Sequence, residues 1–166
     1  MYYSDFSAPL AAFITFRTYG TWLHGDERGS VDLEHNIFGT PRIAPNTSRQ
    51  DYEAQLLKCP AVKLESDQRE CTRIAVREAC NIRNWPLFAL NVRTNHVHIV
   101  AATDTSAKKA MAAFKAYATT EMRRRGVWME RHGPWARGGS ARLIWTQSQL
   151  ERATYYVMHR QGADLD

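Results

Sequence analysis

Asn95-His96-Val97-His98-Ile99-Val100 is a β-branched aliphatic run carrying two histidines one residue apart. Successive side chains of a strand point to opposite faces, so His96 and His98 share one face while Val97 and Ile99 share the other. Two imidazoles so placed can hold a divalent cation or protonate a phosphate oxygen, and their aliphatic neighbours anchor them to a sheet rather than a loop. Alone, the pattern is more often two solvated histidines than a ligand pair, so partners must come from elsewhere in the chain.

Working outward, Pro86 opens a second strand through Leu87, Phe88, Ala89, Leu90 and Val92. Arg93-Thr94-Asn95 is short enough to join the two strands as a hairpin. A first strand is expected over about Ala11 to Tyr19, with Ala12, Ile14 and Phe16 on an apolar face and Ala11, Phe13, Thr15 and Arg17 on a mixed one. Gly20 ends it. Cys71, Ile74, Ala75, Ala79 and Ile82 recur at helical spacing, which predicts a helix capped by Ser66 and running to about Asn84. After Asp104-Thr105-Ser106 a further helix should reach about Arg125, with Met111, Phe114, Ala118 and Met122 as its buried stripe. Gly133-Pro134 and Gly138-Gly139 mark a loop, Ala141 to Trp145 reads as a fourth strand, and Ser148 can cap a last helix through at least His159. Between about 25 and 61, Gly29, Gly39, Pro41, Pro45 and Pro60 without sustained periodicity predict a long irregular insertion with room for one short helical turn. The order strand, helix, hairpin, helix, strand, helix is that of an α+β, ferredoxin-like (RRM-like) sandwich: an antiparallel sheet with helices on one face, plus a C-terminal helix.

A chain of 166 residues is long enough for one well-buried core and too short for two ordinary domains, so a single domain over 1–166 is expected. No apolar run reaches bilayer-spanning length, and Met1-Tyr2-Tyr3-Ser4-Asp5 lacks the basic start of a secretory signal. A cytoplasmic protein without membrane contact is the expectation. Cys59, Cys71 and Cys80 are odd in number and lack C-x-x-C spacing, which fits reduced thiols. The net charge of +5 and pI near 9.3 favour a polyanionic partner. Lys108, Lys109, Lys115, Arg123, Arg124 and Arg125 gather on one predicted helix, with Arg137 and Arg142 following among Trp128, Trp135 and Trp145. The run reads either as a solvated helix face or as a surface tracking phosphates. Trp135 and Trp145 could stack unpaired bases, or one of them could belong to the core.

The last helix offers the histidines their partners: Tyr155, Tyr156, His159 and Gln161 lie within one or two turns. Tyr155 and Tyr156 stand four and three residues before His159, so either can share its helix face, while Leu150, Ala153 and Val157 form another, packing side. Two histidines plus a third ligand on a divalent cation can bind a scissile phosphate and stabilise the charge that develops on its oxygens. A tyrosine oxygen would be the nucleophile, although a phenol ionises in water only near pH of about 10 and needs activation. The product, a phosphotyrosine ester, conserves the energy of the broken linkage, so a free 3′ hydroxyl can reverse the step.

His96-Val97-His98 resembles the histidine-hydrophobic-histidine motif of HUH enzymes. Tyr156-Val157, followed by polar residues and Gln161, resembles the catalytic helix of single-tyrosine HUH transposases, and the 58 residues from His98 to Tyr156 suit that family. The opening Phe16-Arg17-Thr18-Tyr19-Gly20-Thr21-Trp22-Leu23-His24-Gly25-Asp26 is similar to the start of the REP-associated branch of these enzymes. The resemblance implies a ferredoxin-like nuclease that uses Mg²⁺ or Mn²⁺, recognises hairpins in single-stranded DNA, and cleaves and rejoins beside them through a 5′-phosphotyrosine. It makes His96 and His98 metal ligands, Tyr156 the nucleophile with Tyr155 as the alternative, and His159 or Gln161 the third ligand. Relatives commonly place a Gln or Asn ligand four residues after the tyrosine. Here Arg160 stands four after Tyr156, and His159 four after Tyr155. In this setting Lys108, Lys115 and Arg123 to Arg125 become DNA-backbone contacts, and Arg160 contacts phosphate or stays a solvated charge. Relatives occur as monomers and as dimers sharing active sites, so a homodimer is compatible with the resemblance. His24, His35 and His132 are expected in loops, exposed and uninvolved.

Rival readings differ in what they require. A histidine-triad hydrolase needs a third histidine where this chain has Val100. A domesticated, non-cleaving hairpin-binding module would keep the DNA surface and lose the chemistry, and a structural adaptor would bind neither metal nor single strands.

Overall fold

In the computed structural model, residues 8–21 and 46–163 are described. The first strand, β1 (Ala11–Arg17), pairs antiparallel on one side with β3 (His96–Ala101) and on the other with β4 (Ser140–Ile144). The outer side of β3 takes β2 (Leu87–Val92), also antiparallel, so the sheet order is β2-β3-β1-β4. With α2 (Ser66–Arg83) joining β1 to β2 and α3 (Ala107–Arg124) joining β3 to β4, this is the expected ferredoxin-like α+β arrangement.

Each strand end follows its own chemistry. Tyr19 does not extend β1; its N–H donates to Pro134 O at 2.8 Å, and Thr18 bridges to Trp135. Gly20 takes a φ of +72°, and a Cβ there would lie 2.9 Å from the Ala61 Cα, so the turn after β1 requires glycine. Within the segment expected to be irregular, α1 (Thr47–Gln55) is a nine-residue helix, longer than the single turn foreseen. Residues 25–45 of that insertion, with His24 and His35, lie outside the described residues.

Two helix starts differ from expectation for one reason. Glu65, not Ser66, is the N-cap of α2, and its N–H donates to Gln68 Oε1 at 2.9 Å. Thr146, not Ser148, caps α4 (Gln147–His159): Thr146 Oγ1 accepts from Gln149 N at 3.2 Å, and Gln149 Oε1 accepts from Thr146 N at 3.2 Å. In both, a glutamine three residues into the helix reaches back to the cap, and this reciprocal bonding sets the start ahead of the nearby serine. Ser106 caps α3, its Oγ accepting from Lys109 N at 3.3 Å.

Strand alternation divides the packing. Ile14, Phe16, Val97 and Ile99 point to one face, where α2 and α3 bury them with Val76, Phe114 and Met122. The opposite face carries a smaller cluster of Ala11, Ala89, Val100, Ile144, Leu150 and Val157, roofed by α4. Register puts Thr15 beside His98 and Arg17 beside His96 on this second face. Cys59, Cys71 and Cys80 are free thiols, the latter two buried. Among the described residues no helix is long and apolar enough to cross a membrane.

Candidate active site on the second face of the sheet

The two imidazoles stand with ring centroids 4.7 Å apart, and His98 is only 5% exposed. Each is held through Nδ1: that of His98 lies 2.7 Å from Thr15 Oγ1, and that of His96 lies 2.7 Å from Asn95 Oδ1. An amide oxygen can only accept, so the neutral His96 ring carries its proton on Nδ1 and a lone pair on Nε2. That Nε2 lies 3.5 Å from Gln161 Oε1, another acceptor. The Gln161 amide is oriented by its own NH₂, which donates to Tyr156 O at 3.3 Å. With the ring proton on Nδ1, His96 Nε2 and Gln161 Oε1 are two lone-pair donors 3.5 Å apart, close enough to serve as neighbouring ligands of one cation.

Helix α4 reaches the site through its apolar side. Val157 is fully buried, and its carbonyl accepts from Asn91 Nδ2 at 3.2 Å, which ties the helix to β2. Tyr156, next in sequence, therefore leans over the histidine face. Its ring lies 5.9 Å from His98 and 6.0 Å from Phe13, edge-on to both, and it remains 42% exposed. Tyr155 turns the other way. It packs on His159 at 4.7 Å with the Arg160 guanidinium 5.9 Å from its ring, in a groove lined by Phe88, Leu150, Thr154 and Met158. The structure thus brings Tyr156 and Gln161 to the histidine pair, and puts Tyr155 and His159 together in the groove. No three His, Cys, Asp or Glu side chains among the described residues group to hold a metal. The donors available beside the pair are two imidazole nitrogens and the Gln161 amide oxygen, a set that first-row transition cations accept more readily than Mg²⁺.

The cationic residues named from sequence are mostly engaged within the fold. Lys115 Nζ donates to Ala136 O and Gly138 O, and burial with the nearby Arg17 charge pushes its pKa down to about 8. Arg123 donates to the carbonyls of Glu130 and Arg131. Arg124 and Arg125 both bond the Glu121 carboxylate at 2.6–2.9 Å, and the Arg124 bonds above all hold that carboxyl down at about 2. Lys108 and Arg160 are exposed, at the start of α3 and the end of α4. Trp135 packs edge-on against Phe16 at 5.0 Å, whereas Trp145 is 49% exposed. His132 is half-buried between Tyr19 and Trp128 rather than exposed.

Sequence reading passed over Thr15 and Asn95 as partners of the histidines, and Phe13, Arg17 and Arg142 as their neighbours. The alternation of β1 already groups Phe13, Thr15 and Arg17, but only the β1–β3 and β1–β4 registers bring them beside His98, His96 and Arg142.

Residues 58–160 match the family described as "Transposase IS200 like". No curated protein matches the sequence. Among solved structures, a REP-associated tyrosine transposase bound to a REP hairpin aligns with a TM-score of 0.52 at 11% identity, covering 95% of this chain and 70% of that one. A crystal structure from Deinococcus radiodurans R1 aligns with a TM-score of 0.47 at 12% identity, covering 98% of this chain and 99% of that one. At such identity the first likeness speaks to the fold, and the site has to be judged on its own geometry.

Proposed function

Since the chain belongs to the IS200-like transposase family, we propose that it is a metal-dependent single-stranded DNA transesterase that cuts and rejoins DNA beside hairpins through a 5′-phosphotyrosine on Tyr156. One observation carries the reading: Tyr156 stands 5.9 Å from His98 while Gln161 Oε1 stands 3.5 Å from His96, all on one sheet face. The hairpin substrate is suggested by the REP hairpin bound to the similarly folded transposase.

His96, His98 and Gln161 would hold Mn²⁺ or Mg²⁺, which when bound withdraws charge from phosphate oxygens and lowers the barrier to displacement. The Tyr156 oxygen attacks the scissile phosphorus, forming a P–O bond to tyrosine as the bond to the 3′ oxygen breaks. The phenol loses its proton, the departing 3′ oxygen gains one, and the 5′ phosphate stays on the protein. One phosphodiester replaces another, so attack by a 3′ hydroxyl reverses the step without an external energy source. Phe13, edge-on to Tyr156, limits the ring's freedom before attack. Arg17 and Arg142, paired in register with His96 and Phe13, add positive charge to the face that receives the strand.

The reading is tested by incubating the protein with labelled single-stranded hairpin DNA from the flanks of its gene, with Mn²⁺ or EDTA, on a denaturing gel. A Mn²⁺-dependent covalent band lost in Tyr156→Phe is expected. Hairpin binding without any band would make the protein a non-cleaving module, and a band undiminished by EDTA would remove the metal from the mechanism.

A further inference from the structure

We propose that Thr15 and Asn95 are positioning residues that hold the protons of His98 and His96 on Nδ1, so that both Nε2 lone pairs serve as ligands. The inference builds on the proposed metal site and adds residues that act through the imidazoles rather than on the DNA.

A neutral imidazole carries one N–H, and in water the Nε2–H form predominates for histidine, leaving the lone pair on Nδ1. A ring that ligates through Nε2 must have that preference reversed by an acceptor at Nδ1. Each ring has an oxygen at 2.7 Å from Nδ1: for His96 the Asn95 amide oxygen, which can only accept, and for His98 the Thr15 hydroxyl, which in this assignment accepts the Nδ1 proton and turns its own hydrogen elsewhere. They come from different places, the β2–β3 turn and the neighbouring strand β1, yet they act at the same ring atom. Thr15 is set by the sheet itself, because it is the direct β1 partner of His98. Its backbone is further confined by β4, where Ser140 is its partner in register, and by the residue before that strand. Gly139 takes a φ of +150°, and a Cβ there would lie 2.5 Å from Thr15 O and 2.7 Å from Met111 Sδ. Neither acceptor is a carboxylate. An Nδ1–H tautomer is thereby favoured without placing a negative charge beside a site that receives a polyanion.

The test is long-range ¹H–¹⁵N correlation of the imidazoles in the metal-free protein, together with Mn²⁺ titration. Both rings are expected as Nδ1–H in the wild type. Thr15→Val should move His98, and Asn95→Ala should move His96, toward Nε2–H, each with Mn²⁺ affinity lowered about 10–100-fold, the usual scale for losing an outer-shell partner. Thr15→Ser keeps the hydroxyl and should retain both the tautomer and the affinity. An Nε2–H ring in the wild type, or an unchanged tautomer in Thr15→Val, would overturn the assignment. A wild type that fails to bind Mn²⁺ while both rings respond as stated would instead sink the metal site and leave the positioning role standing.

Discussion

The two faces of the sheet are made by the same strands and do opposite things. One is covered by two 18-residue helices, and its residues Ile14, Phe16, Val97 and Ile99 are at most 1% exposed. The other is covered by a single 13-residue helix and presents Phe13, Thr15, His96 and His98 to it. Strand alternation allows this division, because neighbouring residues answer to different surroundings. Burial on the first face supplies most of the hydrophobic stabilisation. The second face can then hold polar groups without the fold depending on them. The same separation recurs on α4, where Val157 is fully buried and its neighbour Tyr156 is 42% exposed.

The largest expected effect lies on the second face. Tyr156→Phe should abolish covalent adduct formation while shifting unfolding free energy by no more than about 0.5 kcal/mol, as for an exposed substitution. Tyr155→Phe should leave the adduct intact, and a gel showing the reverse would exchange the two tyrosines' roles. On the first face the balance inverts. Phe114→Ala should cost about 3–5 kcal/mol in urea denaturation, because it empties a fully buried aromatic site. A loss below about 1 kcal/mol would mean that α3 does not carry the core as described.

Gly139→Ala sharpens the comparison, since it acts at the point where the loop entering β4 touches Thr15. A destabilisation of about 1–3 kcal/mol is expected from the backbone conformation, and with it a changed His98 environment in NMR spectra. Loss of stability with His98 undisturbed would separate Thr15 from that loop. A further effect is confined to acid and belongs to the helical layer. The Glu121 carboxyl is held at about 2 in the fold, against 4.5 as a reference. Its contribution is present in full above 4.5 and fades as pH falls toward 2. Glu121→Gln should flatten stability against pH in that window and leave DNA cleavage near neutrality unchanged.

Much of this was legible in the residues. The alternation in β1 and β3 and the helical stripes of α2 and α3 are periodic signals, and they give the element order and hence the fold. The histidine face and the residues on α4 could be named for the same reason. What sequence left open was partnership. Spacing allowed His159 to share a face with either tyrosine, but the rotation of α4 is set by Leu150 and Val157 docking on the sheet, and that rotation puts His159 with Tyr155. Gln161 lies past the end of the helix, so helical spacing did not describe its reach to His96. The Arg124 and Arg125 contacts were invisible in the charge count because their carboxylate partner, Glu121, sits on the same helix among apolar positions. Thr15 and Asn95 needed the register and the turn geometry.

Peptide mapping by mass spectrometry of the covalent adduct formed with single-stranded hairpin DNA in Mn²⁺ tests the account most directly. The nucleotide mass should sit on Tyr156, the tyrosine beside His98. A modification on Tyr155, in the groove with His159, would contradict the assignment of the site to the second face of the sheet.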